Sequence, residues 1–277
     1  MRVTVLVTLL NDPRVAATLD SLRAQSRPPD EILVADGGSR PDHLKPLLEA
    51  AARDDRVRIE TCPGSVAETR NLALPMSTGD VIAFLDSDEV APPGWLEALV
   101  APIEAGAADF TGGPTRPLRE PRTRSERYVN DFDAWFYPNV VAKDPTMTPM
   151  GNSAWRRAVF DAIGNFDDRL VWGGEDYDVN LRAVAAGFRG AYVPEAWVWH
   201  DQSHLSSFRR ILRRKYRYSV GATVAYLKNG VLGAKAGGAA ATAARFRHPY
   251  EWANVVVKPV ALVAGWLKWR RLRKVKP

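Results

Sequence analysis

Apolar residues in the first half of the chain fall into short runs separated by stretches of helical periodicity. The runs are 3–9, 31–35 (EILVA), 57–61 and 80–85 (DVIAFL), the last with no polar residue between Val81 and Leu85. Runs this short and apolar at neighbouring positions read as strands covered on both faces. Between them, residues 15–25, 43–52 and 66–74 repeat apolar side chains three and four apart, which predicts amphipathic helices. Strands alternating with helices predict an α/β chain with a largely parallel sheet between helical layers. In such sheets ligands bind at the carboxyl ends of strands.

The pattern changes after residue 109. Residues 112–128 hold three Pro, five Arg and two Gly and read as a connecting or mobile loop. Aromatic residues then cluster at Phe132, Trp135, Phe136 and Tyr137, and 158–163 and 176–186 read as helices, the second ended by Gly187. Residues 206–228 predict a long helix capped by Ser206, with Arg209, Arg210, Arg213, Arg214, Lys215 and Arg217 crowding its first half. The small-residue stretch 230–244 receives no element. Residues 255–267 are apolar except for Lys258 and include Pro259. That run is short of the about 20 residues a membrane span needs and reads as an interfacial anchor. Trp252, Trp266 and Trp269 would lie at head-group depth there, with the following cations on anionic lipid. No internal repeat is visible.

Composition narrows the class without naming a function. With 277 residues, 46% hydrophobic and 25% charged, the chain is ordinary globular protein, not collagen, coiled coil, disordered polymer or disulfide miniprotein. Cys62 stands alone, so no internal disulfide can form, which fits a reducing compartment. Met1-Arg2 and the apolar run behind them lack a small-residue cleavage site and read as a first strand rather than a secretory signal. The net charge of +6 conceals an asymmetry: residues 1–204 carry 21 Lys+Arg against 31 Asp+Glu, and residues 205–277 carry 17 against the single acid Glu251. An acidic body with a basic tail points to an anionic partner for the tail.

The sharpest chemistry is Asp86-Ser87-Asp88, directly behind the most apolar strand. Two carboxylates at a buried strand end are costly unless paired. A divalent cation bridging them to an anionic ligand resolves that cost, with Mg²⁺ or Mn²⁺ suited to oxygen ligands and substrate phosphates; an acidic turn before Pro92-Pro93 is the plainer alternative. Asp36 with Gly37-Gly38-Ser39 ends the EILVA strand, and Arg70-Asn71 lies on the helix before the Asp86 strand. Singly these are a turn and a surface arginine; converging on one sheet edge, they point to a nucleotide site.

In order, Val3 to Asn11, Glu31 to Ser39, Glu68 to Ala73 and Thr78 to Asp88 resemble the successive motifs of glycosyltransferase family 2, enzymes of the GT-A fold that use nucleotide-sugars. Gly151-Asn152-Ser153-Ala154-Trp155-Arg156-Arg157, Gly164-Asn165-Phe166-Asp167 and Trp172-Gly173-Gly174-Glu175-Asp176 resemble its acceptor-side motifs, so the resemblance runs to about residue 218. It departs where Thr8-Leu9-Leu10-Asn11 replaces Pro-Thr-Tyr-Asn, and where Asp36-Gly37-Gly38-Ser39 stands in place of Asp-Asp-Gly-Ser. The resemblance implies a Rossmann-like mixed sheet flanked by helices over 1–205 (a nucleotide half to about 110, an acceptor half from 111), followed by a basic helical appendage over 206–277. It also implies donor contacts from Thr8, Asn11, Asp36, Arg70, Asp86, Ser87 and Asp88. A metal, Mn²⁺ or Mg²⁺, would sit on Asp88 and Asp86, with His200 of Trp197-Val198-Trp199-His200-Asp201 as a further ligand. Asn152, Trp172, Gly174 and Glu175 would face the acceptor, and Asp176 of the Glu175-Asp176 pair would be the catalytic base. Trp135, Phe136, Trp155 and Trp172 are stacking platforms for sugars or core.

The expected function is an inverting, metal-dependent transfer of a sugar, from a UDP-sugar by preference, to a lipid-linked or cell-envelope saccharide. The expected location is the cytoplasm, peripheral on the inner face of the plasma membrane and bound to its anionic surface, with no nucleic-acid partner. Two other readings compete. A nucleotidyltransferase acting on sugar phosphates shares the acidic metal site, but the chain holds no glycine-rich, lysine-containing phosphate loop. A non-enzymatic protein binding anionic lipid or nucleic acid would use the basic tail and leave the ordered acidic motifs unexplained.

Overall fold

The least polar strand of the chain lies at the middle of its main sheet. In the computed structural model, which describes residues 1–232 and 249–273 without the side chains of 249 and 252–256, β4 (Val81–Asp86) is flanked by β1 (Val3–Leu9) and β8 (Asn152–Arg156). The order is β3-β2-β1-β4-β8-β6-β9, with β2 at Glu31–Asp36, β3 at Val57–Thr61, β6 at Phe110–Gly112 and β9 at Gly190–Tyr192. β1 to β4 are mutually parallel, whereas β8 runs antiparallel to both β4 and β6. The sheet is therefore mixed, as the family resemblance implies.

Successive residues of β4 enter two different cores. Val81, Ala83 and Leu85 pack on one face against α1 (Val15–Arg23), α2 (Pro41–Ala51) and α4 (Trp95–Glu104). Ile82 and Phe84 pack on the other against α3 (Val66–Ala73), α6 (Arg157–Ile163) and α7 (Glu175–Ala185). Each large apolar side chain so buried contributes about 1.5–3 kcal/mol, which is why an apolar run at every position specifies a central strand.

A smaller three-stranded sheet, β5-β10-β7, stands beyond the end of β4: β5 is Glu89–Val90, β7 Thr115–Pro117 and β10 Val198–His200. Its β7 and the helix α5 (Arg124–Asn139) correct the expected loop at 112–128. Thr123 caps α5 by accepting from the Glu126 N–H at 3.1 Å, a start signal hidden among the prolines and arginines. The helix α4 had no sequence expectation, because Pro92-Pro93-Gly94 before it reads as a turn.

Two long helices end the described chain. α8 (Phe208–Lys228) begins behind Ser207, not Ser206, and neither serine caps it through its side chain. α9 (Trp252–Leu272) runs through Pro259 and packs on α8, with Gly265 against Val220 and Thr223. Among the described residues no helix is long and apolar enough to cross a membrane. The stretch 230–244 lies largely outside the described residues, as does the side chain of Trp252.

Candidate active site

Parallel pairing sets the first part of the site. The register puts Thr8 opposite Asp86 and Leu9 opposite Asp36, so the carboxyl ends of β1, β2 and β4 share one edge. Asp36 is 3% exposed; its Oδ1 accepts the Ser39 N–H at 2.9 Å, and its main-chain carbonyl accepts the Cys62 N–H at 2.7 Å. Asn11 adopts a left-handed φ of 54° and ties two loops together. Its N–H donates to Ser39 Oγ at 2.7 Å, and its Oδ1 accepts the Arg40 N–H at 2.9 Å.

Arg70 joins the donor-side and acceptor-side motifs. A capping box between Ser65 and Glu68 fixes the start of α3, and one turn later Arg70 is only 4% exposed, stacked near Phe84 and Phe166 at 5.8 and 5.5 Å. Its Nη2 lies 3.4 Å from Asp86 Oδ1 and its Nη1 3.4 Å from Glu175 Oε1, while Nε has no hydrogen-bond partner among the described residues. Asp86 faces the cleft with 40% of its side chain open. Water lost to the surrounding protein raises its carboxyl above the usual range, with Arg70 working in the opposite direction. Gly151 packs on the Asp86 carboxylate so closely that any side chain there would collide with it.

Asp88 has a different set of neighbours. Antiparallel pairing of β10 with β5 sets His200 against Glu89. The imidazole then places Nε2 3.3 Å from Asp88 Oδ2 and Nδ1 3.8 Å from Glu89 Oε1. Arg14, gripped by Asp12 and Asp201, adds Nη2 at 3.4 Å from the same Asp88 oxygen. Burial would raise the Asp88 carboxyl, but the hydrogen bond and charge of His200 and the charge of Arg14 hold it below the usual range. Burial alone would lower His200; Asp88 and Glu89 outweigh it and lift the imidazole to about 9. Glu89, 2% exposed, is pushed up to about 8 by burial, against the pull of His200. Ser87 is buried beside them, its carbonyl accepting from Thr18 Oγ1 at 3.0 Å.

The donor set decides how a metal would fit. Among the described residues no three His, Cys, Asp or Glu side chains gather as a cage. Asp88 offers an oxygen and His200, once an incoming cation displaces its proton, a nitrogen from the same side, and Asp86 turns towards Arg70 and Gly151. Two protein ligands fit an ion whose other positions are filled by substrate phosphates and water, and do not fit a structural ion held by protein alone.

The acceptor-side carboxylates stand at the start of α7. Gly173 and Gly174 carry φ values of 94° and 93°, which only glycine adopts without strain. They turn the chain under α8 at Gly221, where an added Cβ would overlap the Gly173 carbonyl. Glu175 follows, then Asp176, whose Oδ1 accepts the Tyr177 N–H at 2.8 Å. Burial, with the charge of Glu175 beside it, pushes the Asp176 carboxyl up to about 7, despite the helix N-terminus and Arg70. Trp172 opens to solvent with Lys268 of α9 5.1 Å above its ring.

Not every expected residue reaches the cleft. Asn152 is 1% exposed; its Nδ2 donates to Pro114 O and Ala196 O at 3.1 and 2.8 Å, and its Oδ1 accepts from Trp95 Nε1 at 2.8 Å. Its polar groups are spent on holding β8, which corrects its expected place against the acceptor. Trp155 is fully buried and stacked on Phe110 at 4.3 Å, so it is core. Conversely, sequence reasoning missed Glu89, Arg14 and the Arg214–Gln202 contact at 2.8 Å, whose glutamine bonds Asp133. Glu89 carried a signal, an acid immediately after Asp86-Ser87-Asp88; Arg14 and Arg214 had none that set them apart from other arginines.

Comparison with known proteins falls in the same direction. The family model described as glycosyl transferase family 2 matches residues 4–164, more than half the chain. The O-antigen biosynthesis protein RfbC of Myxococcus xanthus is 28% identical over 228 residues, 73% of this chain but 17% of its own length. The succinoglycan biosynthesis protein ExoM of Rhizobium meliloti is 29% identical over 216 residues, 74% of this chain and 69% of its own. The mannosyltransferase PcManGT of Pyrobaculum calidifontis, solved with GDP-Man and Mn²⁺, superposes with a TM-score of 0.61 at 20% identity, covering 97% of this chain and 86% of that one. At that identity the likeness is one of fold.

Proposed function

The chain belongs to glycosyltransferase family 2 and is a glycosyltransferase, and on that premise we propose that it moves a sugar from a nucleotide-sugar to a cell-envelope saccharide with inversion at the anomeric carbon. The observation that carries this reading is the Arg70 bridge, which holds the donor-side Asp86 and the acceptor-side Glu175 in one cleft, 3.4 Å from each. Asp36, Asn11 and Thr8 line the edge that receives the nucleoside, and Arg70 faces its diphosphate. Asp88 and His200 would hold a Mn²⁺ or Mg²⁺ ion, which would supply positive charge for the departing nucleoside diphosphate.

Asp176 takes the proton of the acceptor hydroxyl as that oxygen attacks the anomeric carbon. The bond from that carbon to the diphosphate oxygen breaks on the opposite face, giving inversion. A carboxylate near 7 accepts a proton more readily than one in the ordinary range, and about half of it is ionised at pH 7. Trp172, open beside it, offers a face to the acceptor sugar. An envelope acceptor, lipid-linked before assembly, agrees with the polysaccharide systems named for RfbC and ExoM. The donor is a UDP-sugar in this reading.

Thermal unfolding with UDP, GDP, UDP-sugars and GDP-mannose, each with Mn²⁺ and with chelator, tests the donor site. A ligand at 100 times its dissociation constant stabilises by about 2.7 kcal/mol. A metal-dependent shift with UDP is expected; a shift with GDP alone reassigns the base, and no shift with any nucleotide removes the donor site.

A further inference from the structure

The outward face of α9 is apolar and leads into cations. Val260, Leu262, Val263, Trp266 and Leu267 are each 42–60% exposed, and at 100° per residue they share one side of the helix with Arg270 and Arg273, which are also exposed. The opposite side, Ala261 and Gly265, is buried, Gly265 against α8. Arg270 lies over the Trp266 ring at 4.7 Å, so an aromatic and a cation meet at the boundary between the two zones. Trp269, counted from sequence as a third anchor, is half-buried and leaves Trp266 as the outward tryptophan among the described side chains of α9.

We propose that this face of α9 docks in the plane of an anionic phospholipid surface, with the apolar side chains at the acyl boundary and Arg270, Arg271 and Arg273 on the head groups. Charge complementarity selects this occupant. The only acid in residues 205–277 is Glu251, and it is 6% exposed and bonded to Lys215 Nζ at 2.6 Å and to the Tyr128 hydroxyl. No carboxylate on that stretch therefore faces the helix's surroundings to repel lipid phosphates. α9 also lacks the length of apolar sequence to span, so it lies in the interface. Lys268, on the side away from lipid, sits over Trp172 of the Gly173-Gly174 loop, so docking of α9 holds the loop before Asp176 close to the membrane surface.

Flotation of the full chain with vesicles of phosphatidylcholine plus phosphatidylglycerol, and with phosphatidylcholine alone, tests the proposal. Binding confined to the anionic vesicles, weakened by salt and by about tenfold or more in V263D and in the R270E/R271E double variant, is expected. V263D should keep the nucleotide-dependent thermal shift of the parent, which shows that it folds and separates docking from donor binding. Equal binding to both vesicles, or V263D binding as the parent does, overturns the proposal. So does absence of vesicle binding, including the case in which a second copy of the chain proves to cover the face.

Discussion

Two carboxylates in this cleft follow opposite rules. Asp88, 15% exposed, is kept ionised by His200 at 3.3 Å and Arg14 at 3.4 Å, with its carboxyl below the ordinary range. Asp176 has a like charge, Glu175, beside it and is raised to about 7 by burial and that charge. A carboxylate surrounded by cations is poised to hold charge, and one enclosed without its own cation is poised to take a proton. The division of labour in the cleft therefore lies in the neighbours, not in the residue type.

The strongest test of that contrast is to remove the proton acceptor and keep the shape. Asp176→Asn should lower turnover about 10²–10⁴-fold while the metal-dependent stabilisation by nucleotide stays at the parent value. A fully active variant would remove Asp176 as the base. Asp88→Ala should show the converse: of the nucleotide stabilisation, about 2.7 kcal/mol in all at ligand 100 times its dissociation constant, the metal-dependent part disappears in calorimetry. Retention of that part would take the metal away from Asp88.

The enclosure of Asp176 can be loosened from a distance. Gly221→Ala forces α8 away from the Gly173 carbonyl and should destabilise by about 1–3 kcal/mol, seen as a fall of several degrees in the thermal midpoint. An unchanged midpoint would mean that the contact is softer than described. The finest test reads pH. Because ionised Asp176 is the active form, kcat/KM should fall as the pH drops below about 7 and level off above it. Glu175→Gln removes the neighbouring negative charge, so the acid limb should move to lower pH, by about half a unit to one unit. A limb that moves upward contradicts the assigned cause.

Much of the donor half was legible because its signals are local. An unbroken apolar run as short as 81–85, set between helical segments, reads as a strand buried on both faces, and Asp86 and Asp36 then fall at strand ends by counting. The acceptor side was less legible. The helix α5 hid behind Pro and Arg residues because its cap, Thr123, differs little from any other loop threonine. Asn152 was expected to face the acceptor only through the resemblance of its motif, and an amide looks the same in sequence whether it meets substrate or two carbonyls and an indole. Trp269 read as an anchor because a tryptophan among cations does not announce which side of its helix it occupies.

By itself the sequence determined the parallel core, the order of the strand-end motifs and the charge asymmetry between body and tail. Each of these follows from periodicity or counting within a few residues, where backbone geometry leaves little choice. Only the tertiary structure decided that His200 meets Asp88, that Arg70 spans from Asp86 to Glu175, and that Gly221 lets α8 settle on the loop before Asp176. Those contacts join residues from 16 to more than 100 positions apart, and they depend on strand register and helix packing that no local pattern encodes. Burial and neighbouring charge then set the properties of Asp88 and Asp176, because the free energy of an ionised carboxylate depends on what surrounds it.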